Sequence, residues 1–187
     1  MKLWLAGAVI APMLASSASA QIPPELLGGG SSAAPMYSEP FYKGKEGFWV
    51  LFRDRENTGY HCSVNFIAPD NTFSMRGPDD ADMARKHYGS IWFVGKAIPP
   101  AAKPETVQVS LTGNRPAAAV PAGHVSMPGA ASGALVLTID VQKSLLEKPD
   151  SNDIAVQMQG KEVFRSKLIG LQQAYRVLGN CMRAAGK

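Results

Sequence analysis

The chain has 187 residues, of which 45% are hydrophobic and 18% are charged, and its formal net charge is +4 at pH 7. This hydrophobic share excludes wholesale disorder, and collagen-like and coiled-coil architectures are excluded as well. The basic residues are scattered, so nucleic acid is not indicated, and two cysteines are too few for a disulfide-rich scaffold or a four-cysteine zinc site.

The first twenty residues have the pattern of a secretory signal peptide. Lys2 supplies a positive charge, residues 3–14 form a short apolar run, and Ala18-Ser19-Ala20 places small residues at the two positions that a signal peptidase reads. The apolar run is shorter than the roughly 20 residues that a membrane-spanning helix needs. We therefore predict a signal peptide over residues 1–20, a periplasmic or secreted location and no transmembrane segment.

Residues 21–40 are rich in Pro, Gly, Ser and Ala and show neither the strand nor the helix period. Such a segment cannot bury enough apolar area to offset the entropy of ordering it, so we predict a flexible leader. A single folded domain then extends over residues 41–187. Within it, residues 113–133 are low in complexity, and we predict a long loop that is either disordered or a flap over a groove.

The domain is predicted to be mainly an antiparallel sheet or sandwich of about eight strands. In the segment 60–66, Tyr60, Cys62, Val64 and Phe66 alternate with polar residues, which is the pattern of a half-buried strand. The other strands are predicted at 49–53, 72–76, 91–94, 106–112, 135–139, 154–158 and 163–168. The mostly short connections favour antiparallel neighbours.

Three helices complete the predicted α+β fold. Residues 79–89 place aspartates first, basic residues last and Gly89 at the end, an order that matches the helix dipole. Asp140 can cap a short helix over residues 141–147. Residues 171–184 repeat apolar side chains at helical spacing, so we expect an amphipathic C-terminal helix that packs one face on the sheet.

The two cysteines are predicted to form a disulfide. Cys62 lies on the apolar face of a predicted strand and Cys181 on the apolar face of the C-terminal helix. In an oxidising compartment two such thiols pair readily, and the bond would fasten the helix to the sheet. Two inert buried thiols or a catalytic thiol are the alternatives. His61 is adjacent to Cys62, but neighbours on a strand point to opposite faces, which argues against a Cys–His pair.

The sequence assigns no catalytic residue, no metal ligand and no cofactor. His61, His87 and His124 are dispersed, with no i, i+4 pair that would indicate zinc. We predict His61 on the solvent face of its strand, His87 at a helix end and His124 in the mobile loop. The aspartates that begin the segment 79–89 lack the order of a calcium loop, and helix N-terminal charge explains them better.

Trp49, Arg176 and Arg183 are the candidates for surface binding. Trp49 belongs to an early cluster of aromatic residues that could form a recognition patch, although packing in the core explains the cluster as well. Arg176 and Arg183 share the polar face of the C-terminal helix, where they could meet an anionic partner or simply face solvent.

Residues 154–183 read as a strand, a tight turn, a strand and a Leu-x-Gly-Leu-x-x-Ala segment that leads to Cys181. Together with the strand that holds Cys62, this pattern resembles small exported bacterial proteins of unknown function. Its closing part is more distantly similar to the invasion-associated locus B family of periplasmic proteins. The resemblance implies an envelope-associated, non-enzymatic role, with no catalytic residues to carry over.

Two functional hypotheses follow. The first is an exported binding or accessory protein whose partner is an unknown protein or envelope component, an enzyme inhibitor being one variety. The second is a small exported hydrolase whose site is built from dispersed histidines and carboxylates. Convergence of a histidine and a carboxylate in a concave pocket would favour the hydrolase, and an exposed aromatic or basic patch would favour binding. A homodimer through a sheet edge is a third hypothesis.

Overall fold

The computed structural model of the chain describes residues 36–113, 118–127, 129–148 and 153–186. The predicted signal peptide and residues 21–35 of the predicted leader lie outside these ranges. Within them, the strands are β1 (Met36–Lys43), β2 (Phe48–Asp54), β3 (Ser63–Ile67), β4 (Asn71–Arg76), β5 (Tyr88–Gly95), β6 (Glu105–Thr112), β7 (Ala118–Ser126), β8 (Gly133–Asp140), β9 (Asp153–Met158) and β10 (Lys161–Lys167). The helices are α1 (Ala81–Arg85), α2 (Val141–Glu147) and α3 (Leu171–Met182), and a 3-10 turn (Arg183–Gly186) follows α3.

These strands form one sheet in the order β1-β2-β3-β4-β5-β8-β7-β6-β9-β10, with antiparallel neighbours throughout. β10, the last strand in this order, also contacts β4 and β5, which shows that the sheet folds over on itself. At this seam, Asn71 Nδ2 donates a 2.8 Å hydrogen bond to the backbone carbonyl of Arg165. A hydrophobic core fills the enclosed space. The prediction of a β-rich α+β fold built on an antiparallel sheet is confirmed.

A row of aromatic side chains spans the core from β2 to β10. Trp49 contacts Phe66 and Phe73, with ring centroids 5.2 and 6.2 Å away. Phe73 and Phe93 are 5.6 Å apart, and Phe93 packs on Phe164 at 5.0 Å. Each such pair contributes about 0.5–1.5 kcal/mol beyond the burial of its area. The row therefore ties the first strands of the sheet to the last one.

The sheet has more strands than the sequence predicts, and β1 is one of them. It begins at Met36, whereas the predicted leader covers 21–40 and the domain is predicted to start near Phe41. β1 is an edge strand that contains Pro40, with a register shift between Pro40 and Tyr42. Proline is tolerated at a sheet edge because no outer partner needs its N–H. The composition typical of a leader is thus also compatible with an edge strand.

The other unpredicted strand, β7, lies inside the segment 113–133, so the prediction of one long loop there is wrong. β7 pairs with β6 over residues 118–124 and with β8 only over residues 123–126. Pro121 therefore lies where only one neighbour is paired, and no second neighbour needs its N–H. The small residues of β7 have little strand propensity, so pairing with its neighbours supplies the stabilisation.

All three predicted helices are present: α2 has the predicted bounds, and α1 and α3 are shorter than predicted. α1 is shorter than the predicted 79–89 because β5 already begins at Tyr88. Asp80 caps α1 and Asp140 caps α2, each accepting a hydrogen bond from a backbone N–H, at 2.8 and 2.9 Å. α3 ends at Met182, and the backbone then tightens into the 3-10 turn.

Cys62 and Cys181 form a disulfide, which confirms the predicted pairing. Their Cα atoms are 6.1 Å apart, and 119 positions separate them along the chain. Since Cys62 directly precedes β3 and Cys181 lies in the last turn of α3, the bond fixes the C-terminal end of the helix to the sheet. The face of α3 that packs on β2 and β3 carries its buried residues: Leu171, Ala174, Tyr175, Leu178 and Cys181.

Candidate functional site

Trp49, one of the three candidates for surface binding, is a core residue. Its side chain is fully buried, and Nε1 donates a 2.8 Å hydrogen bond to the backbone carbonyl of Ile169. This bond joins β2 to the start of α3. The surface role predicted for Trp49 is therefore corrected: the residue lies opposite Phe66 of β3 on the inner face of the sheet, away from solvent.

Arg176 and Arg183 are both exposed on the C-terminal helical segment. They do not border the same feature, however. Arg183 lines a cavity at the C-terminal end of α3, and Arg176 is not among the residues that line it. Of the two arginines, Arg183 therefore borders this cavity and Arg176 does not.

His61 is paired with a carboxylate, although it does not lie on a strand. β3 begins at Ser63, and His61 has a φ of 55°, in the left-handed region. Its Nδ1 atom is 3.3 Å from Oδ1 of Asp79, and the two side chains are 36% and 44% exposed. The predicted strand position is thus corrected to a left-handed turn before the strand, from which the side chain still reaches solvent.

His124 is buried in β7, which corrects its predicted place in a mobile loop. Its Nδ1 atom is 3.0 Å from Glu105 Oε1, and its Nε2 atom is 2.7 Å from the backbone carbonyl of Pro99. Both partners are acceptors, so the ring donates to both only when each nitrogen carries a hydrogen. His124 therefore links β7 to β6 and to the turn that precedes β6.

Neither histidine–carboxylate pair borders a cavity that the described residues are shown to form. None of the four cavities described below is bordered by His61, Asp79, His124 or Glu105. Among the described residues, no group of three or more His, Cys, Asp or Glu side chains could hold a metal ion. The convergence that would favour the hydrolase hypothesis is therefore missing from these cavities.

A groove of about 350 Å³ lies between α1, α2 and the C-terminal end of α3. We refer to it as the helix groove. Its apolar wall consists of five residues from all three elements and the turn before α1: Pro78, Ala84, Val141, Leu145 and Met182. The remaining lining residues are Gln142 and Gly179 together with two basic side chains, His87 and Arg183. An apolar wall with a few polar groups is the usual composition of a small-molecule site.

The helix groove owes its shape to close packing at Gly89. The backbone N–H of Val141 donates a 2.9 Å hydrogen bond to the carbonyl of His87, which fixes the start of α2 to the residue before β5. A Cβ atom at Gly89 would lie 2.4 Å from the carbonyl oxygen of Arg76 and 2.9 Å from Cβ of Val141. Only glycine permits this approach, so the start of α2 can pack against β5 and form one wall of the groove.

Two further features of the helix groove depart from what local stability favours. His87 has a φ of 56°, in the left-handed region that glycine adopts most readily. Gly179 lies in the interior of α3, where alanine would be the better helix former. A Cβ atom at Gly179 would meet only Leu145 Cδ1, at 3.8 Å, so there is room for a side chain that the sequence does not use.

The helix groove differs in charge from two of the other three cavities. Its ionisable lining residues are the basic His87 and Arg183, with no carboxylate. A cavity of about 230 Å³ at the β10 seam is bordered instead by ion pairs, such as Lys96 with Asp70 at 2.8 Å. A cavity of about 300 Å³ beside the disulfide is bordered by both acidic and basic residues. One of about 470 Å³ lies at β1, with Lys43 among mainly aromatic residues.

A cation–π contact on the outer face of the sheet is a structural feature that the sequence analysis missed. The guanidinium carbon of Arg76 lies 4.2 Å from the ring centroid of Trp92, and Trp92 Nε1 donates a 2.8 Å hydrogen bond to Ser90 Oγ. Burial lowers the pKa of Arg76, and the charge of Asp79 opposes this change. Neither Arg76 nor Trp92 borders any of the four cavities, so we assign the pair to packing.

The sequence identified two residues of the helix groove but not the groove itself. Arg183 was a binding candidate, and His87 was placed at a helix end. Val141, Leu145 and Met182 look in the sequence like ordinary apolar helix positions, and no spacing shows that they face one another across a gap. The one available signal was Gly179, the glycine inside an otherwise regular amphipathic helix.

Comparisons with known proteins give no match: no protein-family model, no curated protein and no solved structure is similar to this chain. The resemblance to small exported proteins and to the locus B family therefore stays a prediction. In the part of the chain that the structure describes, no helix is both long enough and apolar enough to cross a lipid bilayer.

Proposed function

We propose that this chain is an exported binding protein, periplasmic or secreted, that holds a ligand without converting it. The observation that carries the proposal is the composition of the helix groove. Its wall is apolar, its ionisable groups are both basic, and it contains no histidine–carboxylate or Cys–His pair that could perform acid–base or nucleophilic chemistry. Such a lining favours retention of a ligand over its hydrolysis.

The disulfide supports export. Disulfides form and persist in oxidising compartments and are rare in the reducing cytosol. Cys62 and Cys181 are both buried at the junction of α3 and the sheet, where a bond between them stabilises the domain. The predicted signal peptide over residues 1–20 is the matching feature at the N-terminus.

The hydrolase hypothesis has one observation in its favour, the pair formed by His61 and Asp79. A carboxylate that orients a histidine is part of many hydrolytic sites. This pair is half-exposed, however, and it borders none of the four cavities. Binding is therefore the better-supported function.

Native mass spectrometry of the protein purified from its own export compartment tests the proposal. We expect an added mass of one small molecule on the folded protein, which is released unchanged when the protein is denatured. A panel of ester, phosphate-ester and glycoside substrates is incubated in parallel with the parent protein, His61→Ala and Asp79→Asn. Turnover of any of these substrates that both substitutions abolish would establish the hydrolase. A folded protein that carries no small molecule at any protein concentration tested would contradict binding.

A further inference from the structure

From the lining of the helix groove we infer its ligand class: a carboxylate attached to an apolar body, such as a free fatty acid or an aryl-alkanoic acid. The inference rests on the proposed binding function and adds to it the site and the chemistry of the ligand. The groove, at about 350 Å³, lies at the small end of the roughly 300–1,000 Å³ that small-molecule sites occupy. Its size therefore suits a single small organic molecule rather than a folded partner.

The apolar wall defines one end of this ligand. Val141 and Leu145 of α2 face Met182 of α3 across the groove, with Pro78 and Ala84 on the α1 side. A hydrocarbon chain or ring placed there would remove these side chains from water, which is favourable in proportion to the area buried. A strongly hydrated ligand, such as a sugar or inorganic phosphate, would leave this wall without a partner.

The basic side chains define the other end. Arg183 directly follows α3 and His87 follows α1, and the lining of the groove includes no acidic residue. The guanidinium of Arg183 donates one hydrogen bond from Nη2 to Asn180 Oδ1. An arginine has five N–H donors in a planar fork, so this contact leaves others for the two oxygens of a carboxylate. The charge complementarity thus selects an anion over a cation or a neutral ligand.

His87 and Gly179 are a second, independent indication of a site. At His87 the chain keeps a bulky side chain in a left-handed conformation that glycine adopts without cost. At Gly179, inside α3, it keeps a glycine where alanine would fit and favour the helix. The first residue supplies an imidazole to the groove, and the second leaves the groove open. Departures from local preference that serve one cavity are typical of a functional site.

Isothermal titration of the oxidised protein with decanoate, 4-phenylbutyrate, decan-1-ol and decyltrimethylammonium tests the ligand class. We expect at least one carboxylate to bind at a ratio of one per chain, with the alcohol and the cation at least tenfold weaker, because a hydrogen bond to a charged group contributes about one decade or more of affinity. Comparison of decanoate with 4-phenylbutyrate shows whether the apolar body of the ligand is an aliphatic chain or an aryl group. Equal binding of decanoate and decan-1-ol would overturn the assignment.

Variants then locate the site. We expect His87→Gly and Arg183→Ala each to weaken carboxylate binding about tenfold, and Gly179→Phe to abolish it by filling the groove. Arg176→Ala is the matched control, since it removes an exposed arginine of the same helix that does not line the groove. His87→Gly keeps the test decisive if Gly179→Phe does not fold, because glycine suits the φ of this position. Binding that survives His87→Gly and Arg183→Ala unchanged would overturn the proposal.

Other occupants of the helix groove are separate outcomes of the same experiment. If light scattering shows a dimer that Gly179→Phe converts to monomers, a second copy of the chain occupies the groove and the proposal is wrong. If no carboxylate binds although the native protein retains a small molecule, the ligand class is wrong and the binding function stands. If no carboxylate binds and the native protein retains no small molecule, the proposed ligand class and the proposed binding function are both wrong.

Discussion

The two ends of α3 differ in what lies beside them: hydrogen bonds fix the N-terminal end to β1 and β2, whereas the C-terminal end carries the disulfide and borders the helix groove. At the first end, Trp49 donates to the Ile169 carbonyl at 2.8 Å, and Gln173 Nε2 donates to the Phe41 carbonyl at 3.2 Å. A Cβ atom at Gly170 would lie only 3.4 Å from Trp49 Nε1, so packing is close there. At the other end, Gly179 leaves space beside α2.

This difference indicates a division of labour along one helix. The hydrogen bonds from Trp49 and Gln173 at the N-terminal end add to the stabilisation that buried apolar side chains provide along the helix. At the C-terminal end Leu178 and Cys181 are buried and the disulfide adds a covalent link, while Gly179 leaves space for the groove. Substitutions at the N-terminal end should therefore change the free energy of unfolding, whereas substitutions of groove residues at the C-terminal end should also change ligand affinity.

The largest expected effect is at the packed end. Trp49→Ala should lower the free energy of unfolding by about 3–5 kcal/mol, because it leaves a cavity in the aromatic row and removes the donor to the Ile169 carbonyl. Equilibrium unfolding in urea measures this loss. Phe48→Ala is the matched control, since Phe48 is the preceding residue and is 38% exposed. A loss as large for Phe48→Ala would contradict the inner position of Trp49.

The disulfide should contribute the next largest effect. Replacing both Cys62 and Cys181 by alanine should cost about 2–5 kcal/mol, because the bond closes a long loop in the unfolded chain. Urea unfolding of the parent with and without reductant should reproduce most of this loss, while reductant should leave the double variant unchanged. Mass analysis of the exported protein tests the premise: free thiols at both positions would refute it.

Acid should weaken the loop beside the C-terminal end of α3. Asp54 is buried at the end of β2, and burial by itself raises the pKa of a carboxyl. Hydrogen bonds from Thr58 and from the backbone of Asn57 outweigh that effect, so the pKa of Asp54 lies below its ordinary value. A lowered folded pKa stabilises the protein above the unfolded value of about 3.9, and this contribution disappears as the pH falls through the folded pKa.

Asp54→Asn should therefore cost about 1–2 kcal/mol at pH 7, and the difference from the parent should shrink below pH 4. Urea unfolding at a series of pH values measures both quantities. Asp70→Asn is a suitable control, because Asp70 pairs with Lys96 on an exposed surface and should contribute less than about 1 kcal/mol. A difference for Asp54→Asn that stays constant from pH 7 to pH 3 would contradict the direction of its pKa change.

The features that the sequence predicts correctly depend on local patterns, and those that it misses depend on contacts between distant segments. The alternation at Cys62, Val64 and Phe66 places all three side chains inward, and the structure buries all of them although β3 itself begins only at Ser63. The period of a half-buried segment is local information. So is the spacing that places Cys181 on the apolar face of α3, and together they predict the disulfide.

Strand pairing between distant segments is not local information. β7 has few residues with strand propensity, and its place between β6 and β8 depends on partners elsewhere in the chain. The helix groove could not be predicted for the same reason, since Val141 and Met182 line one cavity only after α2 and α3 have packed in the folded domain. A cavity forms where two packed surfaces leave a gap between them, and the hydrophobic periodicity of neither helix indicates such a gap.

The smallest expected effect is a gain in stability, at the open end. Gly179→Ala should raise the free energy of unfolding by about 0.5–1 kcal/mol, because alanine is the better helix former and its Cβ atom would make an ordinary 3.8 Å contact with Leu145. Urea unfolding measures the gain. At Gly89 an added Cβ atom would lie 2.4 Å from the Arg76 carbonyl oxygen, so Gly89→Ala should destabilise the protein instead.

The Gly179→Ala and Gly89→Ala variants together test whether the groove is open at Gly179. If Gly179→Ala also destabilised the protein, the two helices would already be in contact there, and the cavity beside Arg183 would be too small for a ligand. If it stabilises the protein and weakens carboxylate binding, then the chain gives up helix stability at this position to keep the groove accessible. That trade of stability for an open cavity is what separates a binding site from a packing defect.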